Sequence, residues 1–275
     1  MAGIAWVNGN LVAPDELAIS PLDGGFMYGE GLFETMRAYG GEVFRLDQHV
    51  ERLIISAAEL SFSAPTAEKL TAAVEEALNA GGLNNAVVRL TVTPGQPGSP
   101  RPTVVVLVRP LALPPRQIYE AGCIAVSVPA SHVPESPLRR IKSLNYLDKL
   151  LAQRVAAQRD AHEAILVDPD GCIIEGAMRN VFAVFTGELV TPPMSRAFLP
   201  GITRATVIEI AQHEGIPHRE RDIALTEFYT ADEAFLTSSV AEILPIRSID
   251  ANVLPDAPGP ITSALTDRYA NLAAL

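Results

Sequence analysis

Apolar residues recur along the chain in two rhythms. Val50, Leu53, Ile54 and Ala57 fall at the spacing of one helix face, and Asp47 ahead of them is the predicted N-cap of a helix that follows a strand ending at Leu46. A second helical stretch opens at Thr66, gathers Leu70, Ala73, Val74, Ala77 and Leu78 on one side, and stops at Gly81-Gly82, where glycine accepts the left-handed turn of a helix end. Two β-rich runs follow, Asn85 to Val92 and Thr103 to Val108. The segment between them, TPGQPGSPRP, carries too much proline and glycine to be a core strand.

The run RPLALPPR, ending at Arg116, reads as a boundary. Beyond it Cys123 to Val128 reads as a strand, PASHVPESP as a loop, and the stretch from Asn145 to Asp160 as a helix with Leu147, Leu150, Leu151 and Val155 facing inward. Ala164 to Val167, Cys172 to Ile174, Val181 to Phe185 and Ala234 to Thr237 are further predicted strands, with DPDG (Asp168 to Gly171) as a tight turn. Thr203 to Glu214 is a predicted helix ended by Gly215. Strands and helices do not alternate as regular βαβ units. The expected fold is therefore α+β in two domains: residues 1–114, the smaller, and residues 115–275, the larger, carrying Lys142.

Composition narrows the function classes. At 275 residues with 48% hydrophobic content the chain can bury a core without staples. Its 21 Lys+Arg against 32 Asp+Glu give a net charge of -11, which disfavours nucleic-acid binding, since phosphate backbones call for clustered positive charge. An anionic small substrate would need a local basic pocket. The two cysteines, Cys123 and Cys172, stand in strand-like runs and read as buried thiols. Five scattered histidines make no metal-ligand pattern. With neither a signal-like N-terminus nor an apolar run long enough for a membrane, we expect a soluble cytoplasmic protein.

The chemistry-bearing candidates are polar residues set in apolar surroundings. DGGFMYGEGLFET lacks the third glycine of a dinucleotide fingerprint. Lys142 follows Ile141 and precedes a helix; buried, such a lysine is a good amine nucleophile, and exposed it is one more cation beside Arg139 and Arg140. Glu175 follows Ile173-Ile174, where a carboxylate is costly without a partner. Asn180 stands directly before Val181-Phe182-Ala183-Val184. Gly201-Ile202-Thr203-Arg204 opens a helix whose free N–H groups suit an anion, or is an ordinary threonine cap. Thr237-Ser238-Ser239 sets three hydroxyls at a strand end.

Taken together, IIEGAMRNVF with Glu175 and Asn180, RIKSLNYL around Lys142, FRLDQHVERL around Arg45, LPGITR around Thr203 and FLTSSVAEILPI around Ser239 resemble the class IV aminotransferases, fold-type IV enzymes that use pyridoxal 5'-phosphate. The resemblance runs through about residues 5 to 250 in matching order. It implies that Lys142 carries the cofactor as a Schiff base and moves the α-proton, and that Glu175 accepts a hydrogen bond from the pyridine nitrogen. It also implies that Arg45, Ile202, Thr203 and Ser239 hold the phosphate, with Asn180 among the cofactor contacts and Tyr146 near the cofactor's phenolic oxygen. Arg179 is bulkier than the signature leads one to expect.

FETMR, with Thr35, looks most like the 4-amino-4-deoxychorismate lyases of the family, which release p-aminobenzoate and pyruvate, and makes Thr35 a candidate catalytic helper. A branched-chain or D-amino-acid aminotransferase is the alternative, and a non-catalytic cofactor-binding relative a third reading. Tyr28, Phe33, Arg37 and Arg101 are the candidate substrate contacts, with His132 and Arg89 as further cations; Arg89 reads best as a solvated surface charge. The family resemblance also implies a homodimer acting on an amino substrate that bears a carboxylate.

Overall fold

The computed structural model describes residues 3–98, 101–130 and 136–274. The chain divides into two compact units: Met1–Ala112 together with Ile141–Asn145, and Leu113–Arg140 together with Tyr146–Ala273.

The N-terminal unit comprises β1 (Ile4–Val7), β2 (Asn10–Val12), α1 (Gly24–Tyr28), β3 (Leu32–Tyr39), β4 (Glu42–Val43), α2 (Leu46–Glu59), α3 (Ala67–Gly81), β5 (Ala86–Thr93) and β6 (Thr103–Pro110). Its strands form one sheet in the order β2-β1-β6-β5-β3-β4. Alternation decides what each face does. Leu32, Met36 and Ala38 of β3, Val88, Leu90 and Val92 of β5 and Val106 and Val108 of β6 pack on Val50, Leu53 and Ala57 of α2 and Leu70, Val74 and Ala77 of α3. The opposite alternation on β3 sets out Phe33, Thr35, Arg37 and Tyr39, with Thr35 registered against Arg89 of β5. Arg45 caps α2 in a left-handed conformation at φ 55°, and Asp47 lies in the first turn instead of at the cap.

The segment carrying Lys142 belongs to this unit and not to the C-terminal domain in which the sequence reading placed it. The reason is backbone pairing. Ser143 bridges Leu32, Phe33 N–H donates to the Lys142 carbonyl at 2.9 Å, and Leu144 N–H donates to the Gly31 carbonyl at 2.9 Å. Short β4 pairs only with Ala38 and Tyr39, so the start of β3 takes up these residues instead.

The C-terminal unit comprises α4 (Arg116–Ala121), β7 (Cys123–Pro129), α5 (Leu147–Gln158), β8 (Glu163–Val167), β9 (Ile173–Gly176), β10 (Asn180–Phe185), β11 (Glu188–Thr191), α6 (Ile202–His213), β12 (His218–Glu220), α7 (Leu225–Phe228), β13 (Glu233–Ser238), β14 (Glu242–Ile249), β15 (Asn252–Val253) and α8 (Pro260–Ala273). The sheet order is β12-β11-β10-β13-β14-β7-β8-β9, with β15 on β14. Since β9 also lies beside β10, this sheet curls.

On α5 the small residues Ala152 and Ala156 are the buried ones and pack with Val126, Ala164, Leu166 and Ile174, whereas Leu147, Leu150 and Leu151 are exposed. Cys123 is buried, but Cys172 is only half-buried. The sequence showed no strand after Thr237 and no final helix, yet β14 runs through Pro245 and α8 closes the unit.

Candidate functional site

In the N-terminal unit the candidate residues gather on the face of β3 turned away from the helices. Phe33 is buried at 4% exposure, with the Arg89 guanidinium over its ring at 3.7 Å and the Lys142 ammonium at 4.7 Å from the ring centroid. Arg89 is thus a half-buried stacked cation and not the solvated surface charge expected of it. Thr35 lies opposite Arg89, and the Arg37 guanidinium stacks on Tyr39 at 4.4 Å. Phe44 N–H donates to the Arg37 carbonyl at 3.1 Å, which ties the segment before Arg45 to β3; the Arg45 guanidinium lies 5.6 Å from the Phe44 ring. Tyr28 ends the short α1 and is 66% exposed. Arg101 is exposed on the loop before β6. His132 lies outside the described residues.

Behind this face is a buried network that the sequence reading missed. Glu34 points to the helix side of β3, accepting from Arg52 Nε at 2.8 Å and Nη2 at 2.6 Å and lying 2.7 Å from His49 Nδ1. Burial pushes its carboxyl up, but Arg52 and His49 more than reverse that and hold it at about 2. The visible signal was Glu34 at an even, core-facing position of a strand.

In the C-terminal unit the other candidates stand at strand ends and at one helix start. Glu175 on β9 is buried, and Lys149 Nζ of α5 donates to its Oε1 at 2.7 Å. Gly176 N–H donates to the Arg179 carbonyl at 2.7 Å, a tight turn that ends β9 at Gly176 and starts β10 at Asn180. Arg179, the outsized member of the signature, donates to buried Glu163, whose other oxygen receives Met178 N–H at 3.2 Å. The long side chain therefore braces the turn from beneath.

Asn180 is buried, and its Nδ2 donates to the Leu199 carbonyl at 3.0 Å. A Cβ added at Gly201 would sit 1.9 Å from Asn180 Oδ1, so the absence of a side chain there lets Asn180 reach the start of α6. Gly201 is the N-cap of α6 and supplies no side-chain cap, and Ile202 and Thr203 are both buried in the first turn. Asn180 registers against Thr237 of β13, which puts both side chains on one face of the sheet. The buried Thr237 hydroxyl has no hydrogen-bond partner among the described residues. Ser239 follows directly at the end of β13, half-buried. Tyr146 caps α5, and Lys149 Nζ lies 5.8 Å from its ring centroid. Lys149 went unremarked in the sequence, although its spacing of three from Tyr146 puts the two on one helix face.

Among the described residues no cluster of His, Cys, Asp and Glu could hold a metal ion, and no helix is long and apolar enough to cross a membrane.

Known proteins are similar to this chain over nearly all of its length. The chain is 38% identical to a putative branched-chain-amino-acid aminotransferase of Methanocaldococcus jannaschii, over 97% of this chain and 95% of that protein. It is 32% identical to a D-alanine aminotransferase of Bacillus licheniformis, over 96% and 95% of the two chains. The branched-chain amino acid aminotransferase of Escherichia coli has the same fold, with a TM-score of 0.93, 29% identity and coverage of 99% and 95%. The family model described as amino-transferase class IV matches residues 31–249. The family and fold expected from the sequence are thereby met: the chain belongs to the class IV aminotransferases, fold-type IV enzymes that depend on pyridoxal 5'-phosphate.

Proposed function

We propose that this enzyme moves the amino group of a branched-chain amino acid to a keto acid such as 2-oxoglutarate. The observation that carries this reading is the full-length relation to the Methanocaldococcus jannaschii protein, with the E. coli branched-chain enzyme matching in fold. It displaces the lyase as the favoured reading. The lyase rested on the resemblance of FETMR and the segment after Lys142, and the relatives this chain matches are aminotransferases. D-alanine aminotransferases are similar over nearly the same length, so the handedness of the donor belongs in the test.

The residues fit the cofactor. Its phosphate is a multivalent acceptor, and the C-terminal unit offers what such a group takes: an α6 N-terminus with no side-chain cap and the orphaned Thr237 hydroxyl. We assign the phosphate to the N–H groups of Ile202 and Thr203, the Thr203 hydroxyl, Ser239 and Arg45, with Asn180 holding the α6 start in place. Pyridoxal phosphate, when bound, supplies an electron-accepting ring that makes an amino acid's α-proton removable. Glu175 would accept the hydrogen bond of the ring nitrogen, and Tyr146 would stand at the ring's phenolic oxygen. Lys142 would anchor the cofactor and carry the α-proton at Nζ, its backbone held by the Phe33 N–H bond to its carbonyl. Thr35 assists the proton transfer. Phe33 gives an aliphatic side chain an apolar wall, while Arg37, Arg101 and Tyr28 are the assigned partners of the substrate's polar end, with Arg89 as a further cation.

The test is a panel of L-leucine, L-isoleucine, L-valine and D-alanine with 2-oxoglutarate, following glutamate. Turnover of the branched L-amino acids, strictly dependent on the keto acid, is expected. A Lys142→Ala variant should lose about a thousand-fold or more of that rate. Release of p-aminobenzoate and pyruvate from aminodeoxychorismate without a keto acid, and no transamination, would overturn the proposal.

A further inference from the structure

The buried pairing of Lys149 with Glu175 has no part in the scheme above, and its position gives it one. Glu175 lies on a strand in which all four residues are buried. A carboxylate in such surroundings is driven to take up a proton unless a cation compensates. Lys149 supplies that cation: Nζ is 2.7 Å from Oε1, with the two side chains 15% and 5% exposed. Burial works against the cation, but Glu175 foremost, then Tyr146 and Asp148, outweigh the burial and push the Lys149 ammonium above its ordinary range.

We propose that Lys149 is a positioning residue for the ring chemistry: its ammonium holds Glu175 as a carboxylate, so that the proton shared with the cofactor resides on the ring nitrogen and not on Glu175. The inference rests on the reading of Glu175 as the partner of that nitrogen. The electrostatics follow from distance. Any group donating to this carboxylate from elsewhere lies farther from Nζ than the oxygen Nζ already touches. The attraction of Lys149 for the negative carboxylate therefore exceeds its repulsion of a positive ring nitrogen. The ionised pair, carboxylate and pyridinium, is favoured over the neutral one, and the ring stays a strong electron acceptor. A lysine that merely tied α5 to β9 would add stability and leave the shared proton where it was. The short reach of Lys149 to the Tyr146 ring, 5.8 Å, extends the same positive field toward the residue assigned to the ring's phenolic oxygen.

The experiment compares holoenzymes of the wild type, Lys149→Met, Lys149→Arg and Glu175→Gln. Each is loaded with pyridoxal phosphate isotope-labelled at its ring nitrogen, and the nitrogen resonance is read at one pH. Circular dichroism confirms that each variant is folded. Wild type and Lys149→Arg should give a pyridinium signal. Glu175→Gln should give the neutral-pyridine signal, and Lys149→Met should move from the first toward the second. A Lys149→Met signal at the wild-type position, with Glu175→Gln displaced, would overturn the role of Lys149 and leave the Glu175 assignment standing. If Glu175→Gln itself kept the wild-type signal, the Glu175 assignment would fall, and this inference with it.

Discussion

Glu34 in the N-terminal unit and Glu163 in the C-terminal unit are buried to the same depth, 1% and 0% exposed, yet their carboxyls move in opposite directions. Burial pushes both up. At Glu34 two planar donors answer it: the Arg52 guanidinium in a two-point grip and the His49 imidazole, which together bring the group down to about 2. At Glu163 one guanidinium, that of Arg179, and the backbone N–H groups of Met178 and Ala164 do not reverse the effect of burial, and the carboxyl stays above its ordinary value. Depth alone does not set the state of a buried acid; the side-chain donors aimed at it do. The two sites also do different work. Glu34 fastens α2, which starts directly after Arg45, to the strand that carries Phe33 and Thr35. Glu163 braces the turn between Glu175 and Asn180.

The comparison breaks most visibly under charge removal. Glu34→Gln leaves a guanidinium with 13% exposure facing a neutral amide and should lower unfolding free energy in urea by about 3–5 kcal/mol. Glu163→Gln should lower it by about 1–2 kcal/mol, because the raised carboxyl is already costly in its charged form and an amide retains a hydrogen bond to Arg179. Equal losses at the two positions would show that burial, and not the number of partners, governs both.

Acid titration sharpens the same contrast. Glu34 has a folded-state value of about 2 against an ordinary 4.5, so the unfolded chain binds its proton first. Its contribution is complete above pH 4.5 and drains away as the pH falls from there toward 2, by about 3 kcal/mol in all. His49, lowered by burial, adds a separate loss that begins as the pH drops through its ordinary value of 6.5, where the unfolded chain again protonates first. Glu163 has the reverse sign. Its raised value lets the folded chain bind the proton first, so its contribution weakens as the pH rises from its ordinary 4.5 through the raised value. Urea melts of wild type and Glu34→Gln between neutral and acid pH should therefore converge below pH 4.5. Parallel curves would rule out the depressed carboxyl.

The contrast between units also explains what could be read from the sequence. In the N-terminal unit Phe33, Thr35 and Arg37 stand in one regular strand whose alternation separates a helix side from an open side, yet they were legible as motif resemblance, and Glu34 on the helix side went unseen with its partners Arg52 and His49. In the C-terminal unit the chemistry sits where periodicity ends. Glu175 and Asn180 flank a turn, Ile202 and Thr203 open a helix, and Ser239 follows a strand. Those positions were legible only as motif resemblance. Pro245 hid β14 because proline argues against a strand interior, although here it stands opposite Phe235 within the β13–β14 pair. The assignment of Lys142 failed for another reason: chain order says nothing of which sheet a crossing segment will pair with. The leucines of α5 misled because an apolar stripe marks a face that avoids water without saying what covers it.

A test of close approach involves no charge at all. Gly201 has an ordinary φ of -69°, so its lack of a side chain serves space and not backbone strain. A methyl group there would meet Asn180 Oδ1 at 1.9 Å and displace the side chain that donates to the Leu199 carbonyl. Gly201→Ala should cost about 1–3 kcal/mol in urea and weaken pyridoxal phosphate binding. The obstacle is one side chain, so in an Asn180→Ala background the same substitution should cost little, a strong non-additivity. Gly31 in the N-terminal unit is hemmed in differently: a methyl group there would meet the Val92 carbonyl oxygen at 2.9 Å and Leu144 Cδ1 at 2.8 Å. Backbone cannot be trimmed away, so truncating Leu144 should relieve only part of the cost of Gly31→Ala. Additive costs for Gly201→Ala and Asn180→Ala would mean that Asn180 does not define the α6 start. Its assignment beside the phosphate would then lose its structural basis.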